Sequence, residues 1–183
     1  MNVFKINNFL SDEDFNLIYN YFYNHESLPT LGYDECGRKL LGEQTEEILK
    51  EYSKKILPDV RHFFNENDLE PSYALFAEYS DDKISLAKHK DANACTYTVD
   101  LVLYQNKSWG IWVDGIEYLC KENEALFFMG EDQEHWRDPV ENNTDRIGVI
   151  FFHYVKPDHW WFTKGPGYVN IIRAKMRGLY YGK

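Results

Sequence analysis

The first third of the chain combines helical spacing of apolar residues with helix-start signals. Val3 to Ile6 alternates like a short strand, and Ser11 then stands as a helix N-cap before three acidic residues. Negative charge on a first turn is favoured by the helix dipole, so this pattern predicts a helix from Ser11 to about Asn24. The segment 32–42 is predicted to be a loop.

A second helix is predicted over residues 45–57, where Ile48, Leu49, Tyr52 and Ile56 recur at helical spacing before a proline. A kinked continuation through Phe63 and Phe64 is expected. From residue 72 the pattern changes to short runs rich in Val, Ile, Phe, Tyr and Trp, separated by turns. These runs predict strands near residues 73–80, 84–88, 97–104, 109–113, 116–119, 125–128 and 146–154.

Many short strands after a helical layer predict a mostly β fold, a sheet sandwich or jelly roll with helices packed on one sheet. A chain of 183 residues fits one domain. We expect a helical support layer over about 11–66, a β core over about 72–155 and a C-terminal extension over about 156–183. That extension is basic, with five Lys or Arg and no acidic residue from Lys164 onward, and we interpret it as a solvated or docking tail.

Charge and cysteine content exclude several classes of protein. The net charge of −10 argues against nonspecific binding to nucleic acid or to an anionic membrane, since both depend on clustered Lys and Arg. Cys36, Cys95 and Cys120 show no C-x-x-C spacing, which disfavours a disulfide framework and a zinc knuckle. The first ten residues do not resemble a signal peptide, and no stretch approaches the length of a membrane span. A reducing, cytoplasmic location is therefore expected.

The candidate chemistry lies in His89-Lys90-Asp91, followed by His135 and Arg146. Two imidazoles and one carboxylate on one face of a metal leave three positions open, which suits ferrous iron, a co-substrate and O2. Arg146 precedes the apolar run from Ile147 to Tyr154, and a cation there costs free energy unless an anion meets it. Arg146 is therefore a candidate for binding a carboxylate, with a structural ion pair as the alternative.

The sequence resembles the 2-oxoglutarate and Fe(II)-dependent oxygenases, in particular the prolyl-4-hydroxylase-like branch. The resemblance is carried, in the family's order, by "NFLSDEDFNLI", "FAEYSDDKISLAKHKD", "LVLYQNKSWGIWVDG" and "ENEALFFMGEDQEHWRDPVENNTDRIGVIFFHYV". It implies a double-stranded β-helix, the cupin-like jelly roll. It further implies His89, Asp91 and His135 as iron ligands, which makes them the catalytic centre. Arg146 would bind the distal carboxylate of 2-oxoglutarate, and Tyr79 would donate a hydroxyl to it.

The same resemblance leaves a rival for the carboxylate-binding role. The family often has Lys or Arg nine or ten residues after the second histidine, whereas Arg146 is eleven residues after His135. Arg137 therefore remains an alternative. Weaker candidates for contacts with the substrate are Tyr97, Asp100, Trp112, Trp136 and Arg137. His153 is interpreted as a packed core residue rather than a ligand.

The implied activity is that of a 2-oxoglutarate-dependent Fe(II) dioxygenase. Such an enzyme hydroxylates a C–H bond of a peptidyl residue, free amino acid or related small molecule and releases succinate and CO2. The carboxylate of Asp91 favours hydroxylation over halogenation, because a halogenase of this class has a small residue there. The alternatives are a non-catalytic cupin-like metal- or ligand-binding module and an AlkB-like nucleic-acid demethylase. The acidic body counts against the latter, and the oligomeric state stays open.

Overall fold

Helices from the N-terminal third cover one face of the larger of two β-sheets. The computed structural model describes residues 3–141 and 145–164. Its helices are α1 (Asp12–Tyr23), α2 (Glu47–Lys55), α3 (Leu57–Phe64) and the short α4 (Trp161–Lys164), with 3-10 turns at Leu28–Thr30 and Asn93–Cys95. The predicted N-cap of α1 is confirmed: the Ser11 hydroxyl accepts a hydrogen bond from the Asp14 N–H at 3.2 Å.

The strands form two antiparallel sheets, which confirms the predicted jelly roll. The strands are β1 (Phe4–Ile6), β2 (Arg38–Gly42), β3 (Glu70–Tyr79), β4 (Lys83–His89), β5 (Tyr97–Gln105), β6 (Ile111–Val113), β7 (Ile116–Tyr118), β8 (Ala125–Phe128), β9 (His135–Glu141) and β10 (Ile147–Val155). The larger sheet has the order β1-β8-β5-β10-β3-β2, and the smaller has the order β4-β9-β6-β7.

Alternation along the strands of the larger sheet divides the core into two layers. On β10, Ile150 and Phe152 pack against the helices, whereas Val149 and Phe151 point into the chamber between the two sheets. The chamber also receives Val102 and Phe128 from the larger sheet and Ile111 and Val113 from the smaller one. We call these two sides of the larger sheet the helix-covered face and the chamber face.

Two strands differ from the sequence prediction. β2 forms within the segment predicted to be a loop and pairs with β3 at the edge of the larger sheet. β9 was not predicted, because its sequence, HWRDPVE, has no apolar alternation and contains a proline. Its buried positions, His135 and Arg137, are polar because they face the chamber, so the usual strand signal is missing.

The remaining predictions concern the C-terminal extension, the cysteines and a possible membrane span. The predicted basic extension lies outside them from residue 165 onward. Cys36, Cys95 and Cys120 are buried, and no disulfide joins cysteines in the described part of the chain. Among residues 3–141 and 145–164, none of the helices combines the length and the apolar character needed to cross a bilayer.

Candidate active site

Two histidines and an aspartate meet at one end of the smaller sheet. His89 ends β4, His135 begins β9, and the two residues are paired directly across the strands. Asp91 follows β4 and places its carboxylate between the imidazoles, with Oδ1 3.4 Å from His89 Nε2 and Oδ2 3.7 Å from His135 Nε2. The predicted ligand residues are thus together, with donor atoms within 4.8 Å of one another.

Both imidazoles have the tautomer that a metal requires. Nδ1 of His89 is 2.7 Å from the carbonyl oxygen of Ala87, and Nδ1 of His135 is 3.0 Å from that of Gln133. A carbonyl oxygen only accepts hydrogen bonds, so each Nδ1 carries a proton and each Nε2 is the ring nitrogen left for a metal. Such hydrogen bonds fix ring orientation in metal-binding histidines.

A glycine makes room for the Asp91 carboxylate. The N–H of Asp91 donates to the carbonyl oxygen of Gly130 at 2.8 Å, which ties the loop after β4 to the end of β8. A Cβ atom at Gly130 would lie 2.5 Å from Asp91 Oδ2 and 2.6 Å from both the Cys95 carbonyl oxygen and Thr98 Oγ1. Only glycine allows this approach without a shift of the surrounding atoms.

The electrostatics of the triad favour an ionised carboxylate. Burial opposes charge on Asp91, but the adjacent imidazoles of His135 and His89 outweigh it and hold the pKa of Asp91 well below its usual range. Burial likewise opposes the charged form of His135, and the Asp91 carboxylate outweighs it, so the pKa of His135 is raised. The negative charge of the Asp91 carboxylate therefore favours a positive charge beside it, which a divalent cation would supply.

A hydrogen-bonded loop holds His135 in place, and the sequence analysis did not identify it. The side chain of Gln133 accepts from the Met129 N–H and donates to Asp114 Oδ2, both at 2.8 Å. Asp114 and Gly115 form the turn between β6 and β7 with positive φ angles of 49° and 81°. An Asp-Gly pair between apolar runs signals such a hairpin turn, although nothing local shows that its carboxylate reaches Gln133.

Arg137 extends the site into the chamber. It follows His135 on the same face of β9 and is only 3% exposed. Its guanidinium donates to the Trp109 carbonyl oxygen at 2.9 Å and to Asp100 Oδ2 at 3.2 Å. The guanidinium carbon also lies 5.2 Å from the centre of the Trp109 ring, which in turn contacts the Tyr79 ring edge-to-face at 4.9 Å. The structure therefore brings Tyr79, Asp100 and Arg137 together beside the triad.

Three buried polar atoms in this group have no hydrogen-bond partner among the described residues: Tyr79 Oη, Asp100 Oδ1 and Arg137 Nε. A buried polar atom without a partner costs about 1–3 kcal/mol, so three together indicate a place that a polar ligand fills. Burial also raises the pKa of Asp100 to about 6, although the Arg137 cation opposes this shift.

Arg146 lies on the helix-covered face of the larger sheet rather than with the triad. Its Nε donates to Glu78 Oε2 at 2.7 Å, and its Nη2 donates to the Tyr23 carbonyl oxygen at 3.1 Å. The Tyr23 and Tyr104 rings flank the guanidinium at 4.5 and 5.3 Å. Tyr104 also donates to Glu78 Oε2 at 2.7 Å. The structural ion pair considered as the alternative for Arg146 is therefore present, and its partner is the buried Glu78.

Three of the expected substrate contacts are directed elsewhere by strand alternation. Tyr97 lies on the helix-covered face, where its ring packs against Phe64 at 5.0 Å. Trp112 and Trp136 are cross-strand neighbours on the outer face of the smaller sheet. Their rings are parallel at 5.5 Å, and both indole N–H groups donate to the Asp138 carboxylate. These side chains therefore face away from the chamber.

His153, interpreted from the sequence as a packed residue, lies close to the candidate metal ligand Asp91. It is 5% exposed, and its Nδ1 is 3.1 Å from Thr98 Oγ1. A donor atom of His153 lies within 4.8 Å of the Asp91 carboxylate and of the Cys95 sulfur. Its ring contacts that of Tyr73 at 4.7 Å. The signal in the sequence was a single histidine within the apolar run of β10, and the run did not show which face of the strand the side chain occupies.

No protein-family model matches the sequence, and no curated protein matches it. Among solved structures, HygX from Streptomyces hygroscopicus with nickel and 2-oxoglutarate bound aligns with a TM-score of 0.63 and 10% identity, over 85% of this chain and 83% of HygX. SnoN, described as a non-haem α-ketoglutarate-dependent epimerase from nogalamycin biosynthesis, aligns with a TM-score of 0.65 and 10% identity, over 84% of this chain and 78% of SnoN.

A prolyl-4-hydroxylase from Pseudomonas putida aligns with a TM-score of 0.59 and 12% identity, over 82% of this chain and 91% of that enzyme. At such low identities the likeness establishes a shared fold. The double-stranded β-helix implied by the sequence resemblance is therefore confirmed.

Proposed function

We propose that this protein is a 2-oxoglutarate-dependent Fe(II) dioxygenase that hydroxylates a C–H bond of a peptidyl residue, free amino acid or related small molecule, releasing succinate and CO2. The observation that carries the proposal is the arrangement of His89, Asp91 and His135, with both Nε2 atoms directed at one carboxylate. This donor set beside partnerless polar groups between the two sheets supports a metal and an anionic co-substrate bound side by side.

The triad residues fit ferrous iron. Two neutral imidazoles and a carboxylate form a facial set, and such a set leaves three positions for exchangeable ligands. The hydrogen bonds to Ala87 and Gln133 prevent the rings from rotating away, so the chain itself preorganises the ligands. Iron held there would activate O2 for oxidation of a substrate C–H bond.

Arg137 and Tyr79 fit the distal carboxylate of 2-oxoglutarate. Arg137 still offers its Nε–H, and Tyr79 offers its hydroxyl, whereas the donors of Arg146 are directed at Glu78 and Tyr23. A guanidinium suits a carboxylate because its N–H groups form charge-assisted hydrogen bonds in a planar fork. We therefore assign the distal carboxylate to Arg137 rather than Arg146. HygX, which shares the fold, binds 2-oxoglutarate with nickel.

Hydroxylation is the proposed outcome because Asp91 keeps its carboxylate. A carboxylate ligand fills the position where a halide would bind, which disfavours halogenation. SnoN shares the fold and is described as an epimerase, so the reaction must be identified from the product. Val149, Phe151 and Ile111 line the chamber with apolar side chains, which would exclude water from a reaction there.

The test is succinate formation from 2-oxoglutarate under air with added Fe(II). His89 is the best ligand to change, because its side chain is 36% exposed and His89→Ala should fold. We expect His89→Ala to reduce succinate to background, while the control His62→Ala, at an exposed position of α3, keeps wild-type turnover.

Anaerobic titration with 2-oxoglutarate separates the alternatives. Binding to the Fe(II)-loaded protein without turnover would mean that the substrate is required to start the reaction. Absence of both binding and turnover would contradict the proposal and favour a non-catalytic metal-binding module. Single-stranded nucleic acid that stimulates turnover in a salt-dependent manner would instead favour the demethylase.

A further inference from the structure

The chamber that receives the co-substrate contains its own carboxylate. Asp100 lies on β5 and is 2% exposed, and its Oδ2 accepts the hydrogen bond from Arg137. Its other oxygen, Oδ1, has no partner among the described residues. The two fixed charges of this pocket therefore cancel before any ligand enters.

A dicarboxylate ligand changes this balance. The distal carboxylate of 2-oxoglutarate is an acceptor-only anion, and Asp100 Oδ1 is also an acceptor when Asp100 is ionised. Two carboxylates that share one buried guanidinium repel each other, and such pairs are stable when one of them holds a proton. The neutral carboxyl group then becomes a donor to the charged one.

The surroundings of Asp100 make this protonation accessible near neutral pH. Burial raises its pKa to about 6 even with Arg137 in contact. His135 on β9 favours its charged form as Arg137 does, while Asp91 after β4 opposes it. Tyr79 on β3 and Cys120 before β8 also lie near it; burial raises the pKa of both groups, and the Asp100 charge adds to this shift. An additional anion in the chamber favours the protonated form further.

We infer that this protein binds 2-oxoglutarate together with one proton, held by Asp100, whose O–H donates to the distal carboxylate while Arg137 and Tyr79 donate the other hydrogen bonds. The inference rests on the proposed function. The proton is taken from solvent when the co-substrate enters and returns to solvent when the dicarboxylate product leaves. The protonation state of Asp100 thus determines whether the chamber accepts a ligand with a charged distal carboxylate or one with a neutral donor group.

The experiment is calorimetric titration of the Mn(II)-loaded protein with 2-oxoglutarate in HEPES and in Tris, buffers with different ionisation enthalpies. At pH 7.5 we expect uptake of about one proton per bound ligand, and an affinity that falls up to about tenfold per pH unit above the pKa of Asp100. Asp100→Asn is expected to bind with no uptake at this position and with an affinity nearly independent of pH. The matched control is Asp132→Asn, at an exposed position.

A second ligand keeps the test valid if Asp100→Asn does not fold. 2-Oxoglutaramate has a carboxamide in place of the distal carboxylate, and its NH2 group can donate to ionised Asp100. We expect its binding to wild type to take up about one proton fewer than that of 2-oxoglutarate.

The outcomes distinguish the inference from the proposed function. Binding of 2-oxoglutarate without proton uptake, equal uptake for the two ligands, or unchanged uptake in Asp100→Asn would overturn the role of Asp100 and leave the co-substrate site intact. No binding of 2-oxoglutarate under any condition would overturn both.

Discussion

Arg137 and Arg146 both meet a buried carboxylate, yet they lie on opposite sides of the larger sheet. Arg146 on the helix-covered face is paired with Glu78, donates to a carbonyl oxygen and is flanked by two tyrosine rings. Arg137 in the chamber is paired with Asp100 and leaves partnerless atoms on itself, on Asp100 and on Tyr79. The first arrangement is complete without a ligand, and the second is not.

This difference separates two kinds of buried polar group. The Arg146–Glu78 pair supports the fold, whereas the Arg137–Asp100 pair leaves hydrogen-bonding atoms for a ligand. A buried ion pair with all its hydrogen bonds positions elements of the fold, although it adds little net stability. A buried ion pair with unsatisfied hydrogen-bonding atoms destabilises the folded protein until a ligand supplies the missing hydrogen bonds. Gly130 and Gly148, like Tyr79 and Tyr104, also lie one on each side of the larger sheet. The difference between the chamber face and the helix-covered face can therefore be tested with three pairs of residues.

The largest expected effect comes from the arginines. Arg137→Gln should weaken 2-oxoglutarate binding by about 100-fold, because it removes the charged partner of a buried carboxylate. Arg146→Gln should leave that affinity unchanged but lower the free energy of unfolding by about 2 kcal/mol, since Glu78 is left buried without its cation. Calorimetric titration and urea unfolding measure the two quantities. If Arg137→Gln unfolds, Arg137→Lys replaces it. Weaker binding in Arg146→Gln alone would reverse the assignment.

The glycines give the next largest effect. Gly130→Ala places a Cβ atom 2.5 Å from Asp91 Oδ2, so we expect Fe(II) affinity to fall by about 10- to 100-fold as the ligand is displaced. Gly148→Ala instead meets the Tyr104 ring at 2.5 Å on the helix-covered face. It should cost about 1–3 kcal/mol of stability and leave Fe(II) affinity unchanged. Competition with a metal-binding dye measures the affinity. Equal affinity in Gly130→Ala and wild type would show that the glycine does not support the metal site.

The tyrosines give the smallest effect. Tyr79→Phe removes a buried hydroxyl that has no partner among the described residues, so stability without ligand should hold or rise slightly, while 2-oxoglutarate affinity falls by about 3- to 10-fold. Tyr104→Phe removes a hydrogen bond to Glu78 and should lower stability by about 1–2 kcal/mol with no change in affinity. Thermal unfolding with and without 2-oxoglutarate measures both. A ligand-induced stabilisation that is identical in Tyr79→Phe and wild type would exclude Tyr79 from the site.

Spacing along the chain pointed to His89 and Asp91 as candidate metal ligands. His89 and Asp91 are separated by one residue at the end of a strand, which brings both side chains to the same edge of the sheet. The second histidine was identified from the resemblance to a family, even though the strand that carries it, β9, was not predicted. The helices and the strands with apolar alternation were predicted to within a few residues for the same reason: their signals are local.

The sequence determined the fold class, the helices and the cap of α1, because periodicity and capping act within a few residues of the chain. Its resemblance to a family pointed to the residues of the triad. The sequence did not determine which arginine enters the chamber. Arg146 is one residue before Ile147, which pairs with Tyr79 and points inwards, and a shift of one residue in a strand exchanges its faces. Pairing between distant strands set that register, and it also brought Gly130, Asp100 and Arg137 to the ligands. These contacts join residues far apart in the chain, so only the tertiary structure decided them.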